Sequence, residues 1–261
     1  MTLFDYEYKG LMAQAWDVLR GDTSRWEDRS FYLDVIQRFG QPVLDVGCGT
    51  GRLLLDYLAQ GIDIDGVDNS PEMLALCRAK AAAQGLQPRL SEQAMESLDL
   101  PRRYRTILIP SSSLQLVIDP AQALLAVQRL AAHLEPGGVL AAPLMTLWKP
   151  GDPLESEWEK AVVRPEDGAT VRRVSRARYD PAAECEDTED LYQIVAAGQV
   201  VREETHRRAP ATRSYTPAQG RALFERAGLA EVQVYSGFTF APLQPTDGLF
   251  TVIGRRPEPA P

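Results

Sequence analysis

Between Val43 and Leu144 short, nearly unbroken apolar runs alternate with longer segments whose apolar residues recur every three or four positions. That is the pattern of repeated strand and helix units around a parallel sheet. The apolar runs predict strands at Val43–Val46, Ile62–Val67, Arg89–Leu90, Thr106–Ile109 and Val139–Leu144. The intervening spacing predicts helices over Arg52–Gln60, closed by Gly61, and Pro71–Gln84, closed by Gly85. Ser70 stands as N-cap of the second, with Pro71 at its first position, where a missing N–H costs nothing. A third helix, Pro120–Leu134, runs into Glu135-Pro136-Gly137-Gly138, which reads as a stop and a turn.

The pattern changes on either side. Leu11 to Phe39 is mostly helical in period and carries Trp16, Trp26, Phe31 and Tyr32, so residues 1–40 are expected to cap the core at 41–148. After Lys149-Pro150-Gly151-Asp152-Pro153, residues 149–212 turn strand-like, with strands expected at Thr170–Tyr179, Glu186–Val195 and Gln199–Arg207. Ala196-Ala197-Gly198 fits a hairpin turn, so this part reads as an antiparallel insertion. Residues 213–261 return to the core pattern: Thr216 caps a helix Pro217–Ala227 stopped by Gly228, and strands near Val232–Tyr235 and Leu249–Gly254 complete the sheet. The tail 255–261, with three prolines, is expected to fray.

The glycines of VLDVGCGTGRL sit at alternate positions, Gly47, Gly49 and Gly51, between a strand and a helix. Such a loop lies over the carboxyl end of the sheet and lets a ligand rest on the backbone. A dinucleotide fingerprint would need a glycine where Arg52 stands, so that pattern fails. Instead Asp45 precedes the first glycine by two residues, a place that repels a phosphate and welcomes a cation. Asp68, 17 residues beyond Gly51 at the tip of the next strand, is placed to accept hydrogen bonds from a ribose diol. The pair points to a nucleoside without a pyrophosphate.

Composition narrows the classes. The chain has 261 residues, 44% of them hydrophobic, enough for one large α/β domain or two small ones. A net charge of -8 disfavours sequence-independent nucleic-acid binding and an anionic membrane surface. Three scattered cysteines and two histidines make a zinc site or disulfide framework improbable, and no metal is expected. No basic and then apolar leader opens the chain and no run spans a bilayer, so a cytoplasmic protein is expected. His133 reads as a helix-end histidine, His206 as part of a solvated strand face, and Cys48 as a small filler. The arginines 172, 173, 176 and 178 and the acids 184, 186, 187, 189 and 190 read as pairs across strands.

The ordered runs VLDVGCGTGRL, GVDNSPEML, QAMESLDL, IPSSSLQ and LEPGGVL closely resemble the class I S-adenosylmethionine-dependent methyltransferases. The similarity is to the small-molecule branch with an antiparallel β insertion before the last helix, which includes amino-sugar N,N-dimethyltransferases. It implies a Rossmann-like seven-stranded α/β sheet, last strand antiparallel, flanked by helices; S-adenosyl-L-methionine as cofactor; and methyl transfer to N or O of a small-molecule acceptor, in a monomer or a homodimer. Carried over by residue, Gly47, Gly49 and Gly51 lie under the methionine moiety and Asp45 answers its ammonium. Asp68 holds the ribose, Asn69 and Met73 border the adenine, and Ala94 and Met95 supply backbone groups and packing to it. Ser111 and Gln115 form the floor towards the acceptor. Tyr32, Tyr6, Tyr8 and Trp16 are aromatics that either close over the cofactor or simply pack.

Two departures stand out: Gln93, where relatives have Gly or Asp nearby, and Leu116, where some relatives place a histidine base. Two other readings therefore stay open, a non-catalytic S-adenosylmethionine-binding protein and a nucleotide-dependent oxidoreductase. A nucleic-acid methyltransferase is disfavoured because Ile109-Pro110-Ser111-Ser112-Ser113 lacks the aromatic residue that stacks a flipped base.

Overall fold

A computed structural model describes residues 6–259 and contains two sheets. Three helices, α1 (Gly10–Gln14), α2 (Trp16–Arg20) and α3 (Glu27–Phe39), precede the first strand. The core then runs β1 (Val43–Val46), α4 (Leu54–Ala59), β2 (Ile64–Asp68), α5 (Pro71–Ala83), β3 (Arg89–Glu92), β4 (Tyr104–Leu108), α6 (Pro120–His133) and β5 (Leu134–Met145). The insertion contributes β6 (Glu155–Val163), β7 (Thr170–Asp180), β8 (Cys185–Ala196) and β9 (Gln199–Arg213). The chain closes with α7 (Pro217–Arg226), β10 (Ala230–Ser236) and β11 (Leu249–Arg255).

The seven-stranded sheet has the order β10-β11-β5-β4-β1-β2-β3, with β11 antiparallel to both neighbours. Alternate side chains of its strands feed opposite faces. Leu44, Ile107, Leu140 and Phe250 pack with α6 and α7 on one face, while Val43, Leu108, Val139 and Ile253 pack with α3, α4 and α5 on the other. A third cluster joins Leu11, Met12, Ala15 and Leu19 to Val171 and Tyr192. The N-terminal helices thus wedge between core and insertion.

Local chemistry sets the element ends. Ser70, Asp119 and Thr216 cap α5, α6 and α7 through their side chains, each ahead of a proline at the start of its helix. Helix α4 starts two residues later than its apolar period predicts, because the turn of the glycine loop runs on through Leu53. The segment Glu135-Pro136-Gly137-Gly138 is not a turn: the chain passes straight from α6 into β5, with a register shift against β4 and Gly137 at φ +71° taking up the irregularity.

The insertion holds four antiparallel strands where the sequence predicts three, in the order β6-β7-β8-β9. Strand β6 escapes the pattern because it is an edge whose side chains are exposed at all but one position, so no apolar alternation marks it. Strand β9 continues beyond Arg207 through Pro210, which an edge strand tolerates since one side of it needs no N–H. Ala197 and Gly198 both have positive φ, as the predicted tight hairpin turn requires. Of the tail expected to fray, Arg255 closes β11, while Ala260 and Pro261 lie outside the described residues, as do the first five residues used in the leader argument.

Candidate cofactor cleft

The glycine loop leaves β1 and hooks over the tip of β2, with the N–H groups of Gly47 and Cys48 donating to the Val67 carbonyl at 2.8 and 3.0 Å. Gly47 has φ +70°, and a Cβ there would stand 2.9 Å from the Ser113 hydroxyl, so only glycine lets this loop and the loop after β4 meet. Asp68 fastens the arrangement from β2. One of its oxygens accepts from Gly49 N at 2.8 Å and the other from Ser70 N at 2.9 Å. Burial raises its pKa, and the N–H groups of Ser70, Gly49 and Asn69 oppose that rise.

Asp45 projects from β1 beneath the loop. It is 2% exposed, and its Oδ1 has no hydrogen-bond partner among the described residues. Burial pushes its pKa up to about 7, against the nearby Arg52 guanidinium and the Leu54 N–H, which favour the charged form. Arg52 is itself committed to the buried Asp28.

The cleft above these carboxylates is lined by Asp45, Gly47, Gly49, Asp68, Asn69, Met73, Met95 and Ser111 among the expected residues. Four others do not line it. Gly51 packs downward, where a Cβ would sit 2.7 Å from Cys77 Sγ and 2.8 Å from Leu55 Cγ. Tyr32 is fully buried behind the loop among Phe31 and Phe238, its hydroxyl without a partner among the described residues and its pKa raised by burial. Ala94 opens the short turn 95–97, to which it gives its carbonyl, and only its neighbour Met95 reaches the cleft.

Gln115 is the fourth. Its amide is fully buried and ties together distant segments: Nε2 donates to the carbonyls of Met145 at 3.1 Å and Arg213 at 2.5 Å, and Oε1 accepts from Met145 N at 2.8 Å. Met145 is where the chain leaves the core for the insertion and Arg213 is where it returns. Tyr215 N to Met145 O at 3.0 Å and Leu147 N to Ser214 Oγ at 3.0 Å complete this neck. Directly before it, Ser111 and Ser112 both have positive φ, a conformation that non-glycine residues adopt at some strain, commonly at functional sites.

The N-terminal cap supplies the roof. Tyr6, Tyr8, Trp16 and Arg20 line the cleft. Tyr6 donates to Glu96 at 2.6 Å, Gly10 N donates to Glu72 at 2.9 Å, Leu11 N donates to Glu204 at 2.7 Å, and Ser70 Oγ bonds the Tyr8 carbonyl. Thr50 in the glycine loop donates to Asp17 of α2 at 2.7 Å. Arg20 lines the cleft from outside every motif, and Arg52 lines it from within the glycine motif without having been expected there. The available signal for Arg20 was its partner Trp16, four residues before it and so on one helical face with it.

The histidines stand apart from the cleft. His133 lies at a helix end as expected but is buried, with Nε2 accepting from Leu100 N at 2.9 Å and Nδ1 facing the Arg129 carbonyl at 2.7 Å. His206 packs edge-on against Tyr192 within the insertion. Among the described residues no cluster of His, Cys, Asp and Glu could hold a metal ion, and no helix is long and apolar enough to cross a membrane.

The comparisons with known proteins agree with this geometry. Residues 43–138 match a family described as a methyltransferase domain. The chain is 28% identical over 230 residues to a dTDP-3-amino-3,6-dideoxy-alpha-D-glucopyranose N,N-dimethyltransferase of Streptomyces fradiae, covering 86% of each. It is 31% identical over 135 residues to a dTDP-3-amino-3,4,6-trideoxy-alpha-D-glucopyranose N,N-dimethyltransferase of Streptomyces venezuelae, covering 52% of this chain and 54% of the relative. With several curated relatives the match spans about half the relative's length or less, 58%, 54% and 41% in three cases. The sugar N-methyltransferase KedS8 of Streptoalloteichus superposes with a TM-score of 0.71 at 28% identity, covering 92% of this chain and 90% of that one. Motifs, sheet order and these likenesses support a class I S-adenosylmethionine-dependent methyltransferase related to the amino-sugar methyltransferases.

Proposed function

We propose that this chain transfers the methyl group of S-adenosylmethionine to an amine nitrogen of a small, sugar-like acceptor. The observation that carries the reading is the buried, unpartnered oxygen of Asp45. An orphaned buried acceptor costs about 1–3 kcal/mol until a donor meets it, and the cofactor's ammonium is such a donor. The remaining fit follows the cleft. Asp68 keeps a lone pair on each oxygen for the ribose diol, and Asn69, Met73 and Met95 flank the adenine.

When bound, the cofactor supplies an electrophilic methyl on a sulfonium. The chain's residues then have to orient and to exclude water. Gly47 and Gly49 let the backbone approach closely, the Tyr6, Tyr8 and Trp16 roof keeps solvent out, and the loop after β4 sets the acceptor's approach. Alignment of this kind is worth roughly 7–11 kcal/mol in favourable cases.

Nitrogen is favoured over oxygen by the lining of the loop after β4. Pro110, Ser111, Ser113 and Leu116 contribute no carboxylate and no imidazole there. A hydroxyl acceptor needs a base within hydrogen-bond reach, whereas an amine needs only to arrive neutral, which a dry site promotes. The N-methyltransferase relatives support the same choice. The test combines calorimetry with S-adenosylhomocysteine and a mass-spectrometric search of cell extract for metabolites that gain a methyl group. Wild type should bind the nucleoside and methylate an amine, and Asp68→Ala should do neither. Labelling of hydroxyl compounds alone would overturn the choice of nitrogen.

A further inference from the structure

Beside the cleft lies a second cavity that the cofactor reading leaves unused. It is walled by Trp16, Trp26 and Trp158 and rimmed by Arg20, Lys160 and Arg173. Trp16 and Arg20 line both spaces, so the two adjoin across one pair of side chains. Its far wall comes from strands β6 and β7 of the insertion, and its near wall from α2.

Three observations give this cavity a chemistry. First, the chain's charge is -8, yet three cations converge here. Arg173 is answered by Asp190, which accepts from its Nε and Nη2 at 3.0 and 2.8 Å. Neither Arg20 nor Lys160 has a hydrogen bond or ion pair to a carboxylate among the described residues. The acids near Arg20 are engaged elsewhere, Asp17 with Lys80 and Thr50, and Asp28 with Arg52. Second, Lys160 lies directly opposite Arg173 in the β6–β7 register, a like-charge pair of which only Arg173 is answered by a carboxylate among the described residues. Glu159, next to Lys160, points to the other face, where it binds Arg172. Third, Trp26 and Trp158 line this cavity and stay 39% and 43% exposed. Arginines already cover part of these rings: Arg20 lies 5.2 Å from the Trp26 centroid and Arg173 4.7 Å from that of Trp158. Burial, and after it the neighbouring Arg52, lower the Arg20 pKa to about 10.

We infer that this cavity is the acceptor's compartment and that the acceptor carries an anionic group, a phosphate or a carboxylate, on an apolar or planar body: the anion bridges Lys160 and Arg20, the body lies between Trp26 and Trp158, and the amine reaches past Trp16 to the methyl. The inference rests on the methyl-transfer reading for its purpose, but the binding it describes stands or falls separately.

Calorimetric titrations with thymidine 5′-diphosphate, inorganic pyrophosphate, benzoate and neutral thymidine, each with and without saturating S-adenosylhomocysteine, test it. At least one anionic probe should bind better than thymidine, and which one separates a phosphate source from a carboxylate source. Lys160→Glu, at an exposed position, should weaken that probe about tenfold or more, and Lys160→Arg should restore it. Trp158→Ala should weaken the diphosphate and benzoate more than pyrophosphate, and S-adenosylhomocysteine affinity should stay within about twofold in all three variants. Anions binding no better than thymidine, or a Lys160→Glu protein that binds them unchanged, would overturn the inference. If S-adenosylhomocysteine fails to bind while the anions bind as described, the methyl-transfer reading fails and the anion compartment stands.

Discussion

Replacing Asp45 with asparagine isolates the group on which cofactor recognition is proposed to turn. The carboxyl is buried, with a pKa of about 7 against an ordinary 3.8. Three units correspond to roughly 4 kcal/mol of penalty on its charged form. The sign follows from linkage. The folded protein holds this proton to a higher pH than the unfolded chain does, so stability present at low pH is lost as pH climbs from about 4 to about 7. An ammonium beside Oδ1 reverses the preference, and binding should expel the proton. Wild type should therefore bind S-adenosylhomocysteine about tenfold more weakly at pH 6 than at pH 8, because only about a tenth of the sites are ionised one unit below the pKa. Calorimetry in buffers of different ionisation enthalpy should record close to one proton released at pH 6 and almost none at pH 8. Asp45→Asn should abolish both the proton release and the pH dependence, and weaken binding by roughly 10- to 150-fold, the worth of a hydrogen bond to a charged group. Its unliganded form should melt higher than wild type at pH 8. Binding without proton release at pH 6, or an Asp45→Asn protein of undiminished affinity, would refute the reasoning.

Asp68→Ala removes the acceptor of both Gly49 N and Ser70 N, and should lower stability by about 2–3 kcal/mol in urea unfolding as well as destroy nucleoside binding; Asp68→Asn should fall between. Gln115→Leu should lower the melting temperature through about 2–4 kcal/mol of unpaired backbone groups at Met145 and Arg213 while S-adenosylhomocysteine binds within a few-fold of wild type; a large loss of affinity without destabilisation would return Gln115 to the cofactor. Gly51→Ala places a methyl against Cys77 and Leu55 at φ +82°, and should destabilise by about 2 kcal/mol or more in denaturant titration.

The succession of core strands and helices along the chain and the place of the two carboxylates were legible because strand period, alternate glycines and an acid at a strand tip are local signals. Asp45 and Asp68 follow directly from them. Gln115, Gly51 and Tyr32 are adjacent in the chain to cleft residues, but the sequence does not say which way a side chain points. Gln115 turns back into the neck, Gly51 down onto Cys77, and Tyr32 into an aromatic cluster. Arg20 reaches the cleft only because α1 and α2 are wedged between core and insertion, a tertiary fact with no motif. Strand β6 was silent for a third reason: a strand that buries nothing carries no hydrophobic signature.

The neck has a consequence for how such a protein can diversify. Met145 and Arg213 are bridged by a single amide, so the two ends of the insertion meet the core at one paired joint, while its sheet also packs against the N-terminal helices. Mutations far out on the four-stranded sheet can reshape what is received there without unsettling the loop that grips the nucleoside. A lineage could exchange one recipient for another by editing this appendage alone, keeping its methyl donor throughout.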